Sequence, residues 1–486
     1  MRILQVSAEL FPLLKTGGLA DVAGALPIAL AAAGQEVRVL LPGFPAILAG
    51  VVDLVPVAEL RAPWGDTSRL LFGRIKTTGA PDVPAYVIDA PALYDRPGNP
   101  YENADRQPYD DNHRRFALLG WAGAQLAQGL DTDWQPQVVH AHDWHAGLVP
   151  AYLAFAQRPA GPRVGSVFTV HNLAYQGVFA PWHFADLGLP GPAFQVNGLE
   201  YHGQLSFMKS GLYYADRLTT VSPTYAREIQ TSEQGFGLDG LLRTRNGVLT
   251  GILNAVDDQV WNPANDTLLA DRFEARRMAG KALGKAALQR QLGLSELPDA
   301  PLFIVVSRLT EQKGLHLVLS GLDALFEQGG QLALLGGGDA WLEEAFRHRA
   351  VAMPQSVSVT IGYNESLAHQ LFGAGDVTLV PSLFEPCGLT QMYGLKYGCL
   401  PLVRRVGGLA DTVVDTTLED MADGEATGFV FDRFEPGDYA RAMRRAFALY
   451  RRPTDWKRVR ATAMRRPVDW ATAAAQYIAV YQQAIA

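Results

Sequence analysis

The sequence predicts an α/β fold with two doubly wound domains in tandem, and three observations support this fold class. The chain has 486 residues, which is enough for two large domains or about three of average size. Short runs rich in Val, Ile and Leu alternate with stretches of helical periodicity, as in parallel sheets that helices cover on both faces. This alternation stops after Asn254 and then restarts.

The first series of strands and helices predicts an N-terminal domain, which we place over residues 1–245. The predicted strands are MRILQVSA, EVRVLLP, AYVIDA, QVVHAHDW, VGSVFTVHN and RLTTVSP, and VLTGILN continues the series across the boundary. Helical periodicity lies between some of them, over residues 19–33, 112–129 and 147–157. We therefore expect a parallel sheet with helices on both faces.

The second series predicts a C-terminal domain over residues 246–455. Its strands are PLFIVVSRL, QLALLGGG, SVSVTIGY, VTLVPSL and LPLVRRVGG, each separated from the next by a helical stretch. A strand-poor connector begins at Asn262, and the helical spacing of its basic residues indicates a solvated helix face. Residues 456–486 have helical periodicity without a strand, and we expect this segment to cross back to the N-terminal domain.

Composition limits the possible partners and the cellular setting. The net charge is -7, so neither nucleic acid nor an anionic membrane surface is the expected partner. The chain contains two cysteines, Cys387 and Cys399, which excludes a disulfide scaffold and fits a reducing compartment. The N-terminus lacks the pattern of a signal peptide, and no apolar run is long enough to span a membrane. We expect a soluble cytoplasmic protein that binds a neutral ligand or a small anion.

The five residues GGLAD occur twice, in KTGGLADV near the start and in VGGLADTV near the end. In the first copy, Gly17 and Gly18 follow the first strand and open the first helix, where backbone amides can approach an oxyanion. Lys15 adds a cation beside them, although a plain turn with a solvated lysine is the alternative. The second copy follows the last long strand of its domain and is expected to shape the site. Neither GxGxxG nor GxxxxGK[ST] occurs in this first loop, so it is not a dinucleotide-binding or P-loop fingerprint, and an NAD enzyme is disfavoured.

Two cations follow a strand of the second domain, in VVSRLTEQKGL. Arg308 and Lys313 at the carboxyl end of a strand suit a diphosphate, which needs charge-assisted hydrogen bonds on both phosphoryl groups. The alternative is a solvated loop of mixed charge, because Glu311 lies between them.

Another strand of this domain leads into PSLFEPCGLTQ. Glu385 can accept hydrogen bonds from ligand hydroxyls, while the helix that opens at GLTQ offers backbone amides to a phosphate. A capping carboxylate is the alternative for Glu385. We interpret Cys387 as a packed small residue and not as a nucleophile.

The segment VVHAHDWHAGL places several histidines, a carboxylate and a tryptophan at a strand end, and TVHNLAYQG adds another histidine at the next strand end. Such a density of histidines raises the alternative of a metal site. Successive residues of a strand point to opposite faces, however, so few of these side chains could share one ion. Binding of a sugar ring fits an aromatic ring beside a carboxylate better, and no metal is expected.

Together, six segments in the same order closely resemble bacterial glycogen synthases and plant starch synthases: KTGGLADV, HAHDWHAGL, HNLAYQG, SRLTEQKG, PSLFEPCGLTQMYGLKYG and RRVGGLADTV. The resemblance runs from Lys15 to at least Val413. It implies the GT-B architecture, in which two Rossmann-like domains face each other across a cleft. It also implies transfer of glucose from ADP-glucose to the non-reducing end of an α-1,4-glucan such as glycogen, with retention of configuration and without a metal or other cofactor.

The resemblance also implies a role for individual residues. The donor-binding residues would be Lys15, Gly17, Gly18, Asn254, Arg308, Lys313, Tyr363, Glu385, Cys387, Gly388, Leu389 and Thr390. The acceptor side would be formed by Asp21, Asp143 and Trp144, and the catalytic residues would be Lys15, Asp143, His171, Arg308, Lys313 and Glu385. The sequence departs from many retaining GT-B enzymes at Tyr393, where those enzymes have a second glutamate that binds the donor ribose.

Two alternatives remain at the level of the sequence. One is another GT-B enzyme that uses a different nucleotide sugar, such as UDP-glucose. The other is a homologue that binds glucan without turnover, although Lys15, Arg308, Lys313 and Glu385 are all present. No segment recommends a lysine for pyridoxal phosphate, as a glucan phosphorylase would need. The sequence does not predict the oligomeric state.

Overall fold

The computed structural model of the protein describes residues 1–156 and 163–486. Gln157, the last residue of one predicted helix, lies outside these ranges. The chain divides into two compact units. The N-terminal unit comprises Met1–Leu253 and Trp470–Ala486, and the C-terminal unit comprises Asn254–Asp469.

All the strands predicted from the sequence are present. The strands of the described ranges are β1 (Arg2–Val6), β2 (Glu36–Pro42), β3 (Val51–Arg61), β4 (Thr67–Ile75), β5 (Val83–Asp89), β6 (Val138–His142), β7 (Gly165–Val170), β8 (Val178–Phe179), β9 (Glu200–Tyr201), β10 (Gln204–Ser206), β11 (Arg217–Thr220), β12 (Leu249–Gly251), β13 (Leu302–Val306), β14 (Gln331–Gly336), β15 (Val357–Ile361), β16 (Val377–Val380), β17 (Leu400–Arg404) and β18 (Phe429–Phe431).

Helices alternate with these strands along both units. They are α1 (Gly18–Ala32), α2 (Pro45–Gly50), α3 (Pro91–Tyr94), α4 (Asn112–Ala127), α5 (Val149–Phe155), α6 (Phe207–Tyr214), α7 (Pro223–Glu228), α8 (Asp239–Thr244), α9 (Ala279–Gln291), α10 (Leu315–Glu327), α11 (Ala340–Ala352), α12 (Glu365–Ala374), α13 (Thr390–Tyr397), α14 (Gly407–Thr412), α15 (Leu418–Asp423), α16 (Pro436–Tyr450), α17 (Pro453–Arg465) and α18 (Trp470–Ile485). Short 3-10 helices occur at Trp144–Ala146, Pro181–Leu187, Gly191–Ala193, Asn246–Val248 and Glu311–Lys313. Within the described residues, none of the helices has the length and apolar character that crossing a membrane requires.

The main sheet of the N-terminal unit is mixed, which corrects the expectation of a purely parallel sheet. Its order is β12-β11-β7-β6-β1-β2-β5-β4-β3, and β4 and β3 pair antiparallel at the edge. Polar residues and Pro56 interrupt the apolar run of β3, as is usual for an edge strand with one solvated face. The small sheet β8-β10-β9 was also not predicted, because its strands are only two or three residues long.

The sheet of the C-terminal unit is parallel throughout, in the order β15-β14-β13-β16-β17-β18. Its strands consist largely of buried aliphatic residues, because helices cover both faces. The sequence did not predict β18, whose three residues are too short for a periodic pattern.

The boundaries of the two units differ from those placed on the sequence. The N-terminal unit continues to Leu253 and not to residue 245, because β12 pairs in parallel with β11. The segment 456–486 is divided between the units: Trp456 and Val459 of α17 are buried in the core of the C-terminal unit, and the chain joins the N-terminal unit again at Trp470.

Helix α18 forms part of the core of the N-terminal unit. Its buried face carries small and aromatic residues, among them Ala473, Tyr477 and Tyr481, which pack with Ile3 and Val167 of the sheet. The small residues allow a close approach: a Cβ at Gly165 would lie 2.7 Å from the carbonyl oxygen of Ala484.

Each of the two large sheets contains a topological switch point, where the strands that follow the first strand in the chain lie on both sides of it. In the N-terminal unit, β1 lies between β2 and β6; in the C-terminal unit, β13 lies between β14 and β16. Ligands of open α/β sheets bind at the carboxyl ends of such strands. Four of the candidate residues, Lys15, Asp143, Arg308 and Glu385, lie in the segments that follow β1, β6, β13 and β16.

The basic residues of α9 are not all solvated, contrary to the expectation for this connector. The amine of Lys281 is buried and donates to the carbonyl oxygens of Phe372 and Gly373, and burial lowers its pKa to about 8. Lys285 forms a buried ion pair with Asp376 at 2.7 Å. The same Asp376 oxygen accepts the backbone amide of Leu302 at 2.9 Å, so the pair connects α9 to the starts of β13 and β16.

We expect Lys285→Met to lower the free energy of unfolding by about 3–5 kcal/mol, because the change leaves the Asp376 carboxylate buried without its cation. The double variant Lys285→Met/Asp376→Asn should lose less than the sum of the two single variants. Urea denaturation followed by tryptophan fluorescence measures all three, and additive losses would contradict this coupling.

Candidate active site

A buried carboxylate organises the loop that follows β1. Glu9 accepts the backbone amide and the hydroxyl of Thr16, both at 2.5 Å, and also the hydroxyl of Tyr101. These bonds hold the loop at the start of α1 in one conformation. The sequence interpretation missed Glu9, although a charged residue just after a buried strand was a usable signal. The contact with Tyr101 had no such signal, because it joins distant parts of the chain.

Lys15 is positioned by its neighbours on this loop. Its Nζ lies 2.9 Å from Oδ1 of Asp21 and 5.4 Å from the centre of the Phe11 ring. Asp21, predicted on the acceptor side, is therefore paired with a predicted donor-binding lysine. Both side chains remain partly exposed, so Lys15 can still reach a ligand.

The first GGLAD loop has open space in front of its glycines. Gly17 caps α1 with extended backbone, and a Cβ built on it would meet no atom within 4 Å. The fold itself therefore does not require a glycine at this position, whereas close approach of a ligand would. Gly18 opens the helix, whose first-turn amides have no partner within the helix.

In the second GGLAD loop, the two glycines let the backbone pack closely against the loop that carries Glu385 and Cys387. A Cβ at Gly407, whose φ is 44°, would lie 1.8 Å from the carbonyl oxygen of Glu385, and one at Gly408 would lie 2.3 Å from that of Cys387. The amide of Gly408 donates to the Glu385 carbonyl at 3.2 Å. These two glycines thus support the loop that carries Glu385.

Asp143 and His171 meet at the ends of β6 and β7. The Oδ1 of Asp143 accepts the backbone amide of His171 at 2.9 Å and that of Asn172 at 3.4 Å. Asp143 has φ 55° and ψ -177°, a strained conformation for a residue with a side chain, and such strain is concentrated at functional sites. Burial raises the pKa of Asp143 to about 7, although the two amide hydrogen bonds oppose this shift.

The neighbouring histidines are neutral hydrogen-bonding groups. His140 and His142 point to the same face of β6, and Nδ1 of His142 lies 3.0 Å from Nε2 of His171. Burial lowers the pKa of His171 and of His145 to about 3, and it lowers those of His140 and His142 well below the ordinary value. None of the four therefore acts as a cation near pH 7.

Trp144, predicted on the acceptor side, is half-buried beside these residues. Its ring contacts Phe116 edge-on, with the centroids 4.8 Å apart. A Cβ at Gly177, whose φ is 56°, would lie 2.3 Å from the indole ring, so only glycine allows this packing. The structure thus fixes Trp144 next to Asp143 while leaving part of its ring exposed.

Among the described residues, His113, His183 and Asp186 have the spacing of metal ligands. Oδ2 of Asp186 lies 3.0 Å from Nε2 of His113 and 3.4 Å from Nδ1 of His183, and the guanidinium of Arg114 binds the other oxygen at 2.8 Å. A metal on Nε2 would leave the Nδ1–H of His113 buried without an acceptor among these residues. We therefore interpret the group as a hydrogen-bonded cluster that connects α4 to the 3-10 helix Pro181–Leu187.

Glu385 in the C-terminal unit has one oxygen fixed and one available. Its Oε2 accepts the amine of Lys313 at 2.6 Å and the hydroxyl of Ser382 at 2.8 Å. Its Oε1 accepts no hydrogen bond from any described residue. A Cβ at Gly314, whose φ is 67°, would lie 2.1 Å from the carbonyl oxygen of Pro381, so glycine is required to hold the turn of Lys313 against the end of β16.

Arg308 is the available cation of this site. It follows β13 and is exposed, and its guanidinium bonds to no residue of the described ranges. Lys313, by contrast, is occupied by Glu385. The two predicted cations therefore differ in role: one orients a carboxylate and the other is free to bind an anion.

Predicted phosphate ligands surround the start of α13. Leu389 caps the helix without a side-chain hydrogen bond, and Thr390 begins it, so the first-turn amides are uncapped. Gly388 has φ 73°, which favours glycine. Gln391 stabilises the turn by donating to the carbonyl oxygens of Cys387 and Gly388, both at 2.9 Å.

Cys387 and Asn254 are neighbours in the same unit. Burial raises the pKa of the Cys387 thiol, and the backbone amide of Asn254 bonds to it, so the thiol is not a nucleophile. The side-chain oxygen of Asn254 is buried without a partner among the described residues, which is unusual without a ligand.

Tyr363 and Tyr393 have opposite environments. The side chain of Tyr363 is 74% exposed, and its hydroxyl donates to Oε2 of Glu365 at 2.5 Å. Tyr393 is buried and stacks on Trp261 with ring centroids 3.8 Å apart. The residue at the position of the second glutamate therefore completes an aromatic stack.

We expect Asp143→Asn to raise the thermal midpoint more at pH 8 than at pH 5. The folded-state pKa of about 7 lies above the ordinary 3.8, so the stability contributed by Asp143 is present below pH 3.8 and is lost as the pH rises through 7. Asparagine resembles the protonated form and avoids this loss, which is at most about 4 kcal/mol. Thermal unfolding at several pH values measures the difference, and a gain that does not depend on pH would contradict the raised pKa.

Comparison with known families covers both units. Residues 2–244 match the family described as "Starch synthase catalytic domain". Residues 293–460 match the family "Glycosyl transferases group 1". The two matches together include Lys15, Asp143, His171, Arg308 and Glu385.

Relatives align over the whole chain. The glycogen synthase of Variovorax paradoxus (strain S110) is 77% identical, and the alignment covers 100% of this chain and 99% of the relative. The glycogen synthase of Leptothrix cholodnii (strain ATCC 51168 / LMG 8142 / SP-6) is 60% identical, with 100% of both chains covered.

Solved structures agree on the fold. The catalytic domain of starch synthase IV from Arabidopsis thaliana, bound to ADP and acarbose, has a TM-score of 0.90 and 30% identity, covering 100% of this chain and 99% of that one. Sucrose-phosphate synthase from Thermosynechococcus elongatus has a TM-score of 0.61 at 17% identity, covering 99% and 98%, and supports the fold alone. The chain belongs to the glycogen synthase family of GT-B glycosyltransferases.

Proposed function

We propose that the protein transfers glucose from ADP-glucose to the non-reducing end of an α-1,4-glucan and retains the α configuration. The observation that carries this proposal is the arrangement of Glu385, with one oxygen bound to Lys313 and Ser382 and the other available, in the same unit as the free cation Arg308 and the uncapped start of α13. The starch synthase relative bound to ADP and acarbose supports the same ligand classes.

In this proposal, the C-terminal unit binds the nucleotide sugar. Arg308 and the amides of Gly388, Leu389 and Thr390 bind the diphosphate, since anions are favoured at a helix N-terminus. Oε1 of Glu385 accepts hydrogen bonds from the glucose hydroxyls. Tyr363 stacks on the adenine, and Asn254 supplies its unpaired oxygen to the donor.

The N-terminal unit contributes to the sugar and to the acceptor. Lys15 and the Gly17–Gly18 loop assist in holding the diphosphate and glucose, and His171 lies beside the glucose. Asp143, Trp144 and Asp21 form the acceptor side. The two backbone amides bind Oδ1 of Asp143, which leaves Oδ2 to accept a hydrogen bond from an acceptor hydroxyl.

The charges account for catalysis without a metal or other cofactor. Departure of ADP builds negative charge on the diphosphate while the anomeric carbon becomes cationic. Preorganised cations and helix amides stabilise that charge in the transition state. Arg308 supplies a free positive charge for this purpose, and we assign Lys15, which is paired with Asp21, and Lys313, which is paired with Glu385, to the same role.

Retention follows a same-face route in this proposal. A double displacement needs a carboxylate nucleophile. Glu385 and Asp143 are each committed to other partners through one oxygen, and we assign the remaining oxygens to the hydroxyls of donor and acceptor. The leaving phosphate then takes the proton from the attacking hydroxyl on the same face of the sugar.

The test supplies labelled ADP-glucose or labelled UDP-glucose, each with glycogen, and measures label in precipitated polymer. We expect the label to come from ADP-glucose and the rate to fall about 10²–10³-fold in Glu385→Ala and in Lys15→Ala, because each removes a preorganised charged group. Glu311→Ala, an exposed change in the same turn as Lys313, is the matched control and should keep wild-type activity.

Other outcomes point to the two alternatives. Label that comes mainly from UDP-glucose would move the protein to another GT-B activity. Glycogen binding without label from either donor would identify a binding homologue. Loss of activity in Glu311→Ala as severe as in Glu385→Ala would contradict the specific role of Glu385.

A further inference from the structure

A buried series of hydrogen bonds connects His171 to the last helix of the chain. Nε2 of His171 lies 3.0 Å from Nδ1 of His142, and Nε2 of His142 lies 2.5 Å from Oε1 of Gln5. Nε2 of Gln5 donates to the hydroxyl oxygen of Tyr481 on α18 at 2.9 Å. That hydroxyl also lies 2.8 Å from Nδ1 of His140. These bonds join β7, β6, β1 and α18.

This series lies in the core of the N-terminal unit, where burying a polar group costs free energy unless the group is hydrogen-bonded. His140, His142 and Tyr481 have no exposed surface, and Gln5 is 2% exposed. Hydrogen bonds in such surroundings are strong, and an interrupted network is costly. Burial also lowers the pKa values of the histidines, so each carries one ring proton near pH 7.

The chemistry of Gln5 determines the direction of every bond towards His171. A carbonyl oxygen only accepts, so Nε2 of His142 carries the proton. Nδ1 of the neutral His142 ring must then accept, and Nε2 of His171 must donate to it. The remaining nitrogen of His171, Nδ1, is left as an acceptor, and it bonds to no other residue of the described ranges.

In the structure, the amide nitrogen of Gln5 faces Tyr481 and donates to its hydroxyl oxygen. The Tyr481 proton is therefore directed to Nδ1 of His140, whose Nε2 donates to Thr169 at 2.5 Å. Without the Tyr481 hydroxyl, the amide nitrogen of Gln5 loses its acceptor. Rotation of the amide by 180° would then reverse each bond as far as His171.

We propose that Tyr481 is a positioning residue, which through Gln5 and His142 holds His171 as the tautomer whose Nδ1 accepts a hydrogen bond from a hydroxyl of the donor sugar. The contact between His171 and the sugar rests on the proposed function. The link from Tyr481 to His171 does not, because it follows from the hydrogen bonds of the protein alone.

The first measurement reads the tautomers directly in the full-length protein. Histidine labelled with ¹⁵N distinguishes the protonated from the unprotonated ring nitrogen by NMR, and a His171→Gln variant assigns the signal. We expect Nε2 of His171 to be protonated in the wild type. In Tyr481→Phe, which keeps the ring and removes the hydroxyl, we expect Nδ1 to be protonated in a substantial share of the molecules.

The second measurement is the steady-state rate with ADP-glucose. We expect kcat/KM to fall about 3- to 10-fold in Tyr481→Phe, the equivalent of one neutral hydrogen bond. Tyr477→Phe removes another buried tyrosine hydroxyl one turn earlier on α18 and should change neither the His171 tautomer nor kcat/KM. If Tyr481→Phe does not fold, Gln5→Met interrupts the same link from β1 with a side chain of similar volume.

The outcomes separate this inference from the proposed function. A wild-type His171 protonated at Nδ1, or a tautomer and kcat/KM unchanged in Tyr481→Phe and Gln5→Met, would overturn the inference. A tautomer change equal in Tyr477→Phe would also overturn it, by showing a general effect of loosening α18. A change specific to Tyr481→Phe in a protein that does not use ADP-glucose would support the link and reject the proposed function.

Discussion

The parallel pairing of β1 with β6 and of β13 with β16 determines where the candidate residues lie. Parallel strands end at the same edge of a sheet, and at a switch point the two following loops diverge and leave room for a ligand. The loops of Lys15 and Asp143 therefore share one edge in the N-terminal unit, and those of Arg308 and Glu385 share one edge in the C-terminal unit.

The two candidate active-site carboxylates, Glu385 and Asp143, are each held through one oxygen, which leaves the other oxygen for a ligand. Glu385 uses one oxygen for Lys313 and Ser382, and Asp143 uses one oxygen for two backbone amides. Glu9 has both oxygens engaged and serves to hold the loop of Lys15. Glu385 and Asp143 are therefore preorganised, because these hydrogen bonds orient each carboxylate before a substrate binds.

Glycines contribute by allowing close approach, and the two GGLAD loops use this property differently. Around Gly407 the backbone of the Glu385 loop occupies the space of a side chain, whereas around Gly17 that space is open. The two segments therefore have the same sequence but different structural roles. Helix α18 follows a related principle, since its alanines and the facing Gly165 let Tyr481 reach the polar residues of the sheet.

The sequence alone determined most strands of the two large sheets and the chemical groups at their carboxyl ends, because hydrophobic periodicity and strand-end position are local properties. It did not reveal the antiparallel edge β3–β4, whose mixed polarity hides a strand, nor the burial of Lys281 and Lys285. Only the tertiary structure decided which oxygen of Glu385 is free, that Glu9 holds the Lys15 loop, and that Tyr481 reaches Gln5, 476 residues away in the chain. Such contacts depend on how distant elements pack, and no local pattern encodes that packing.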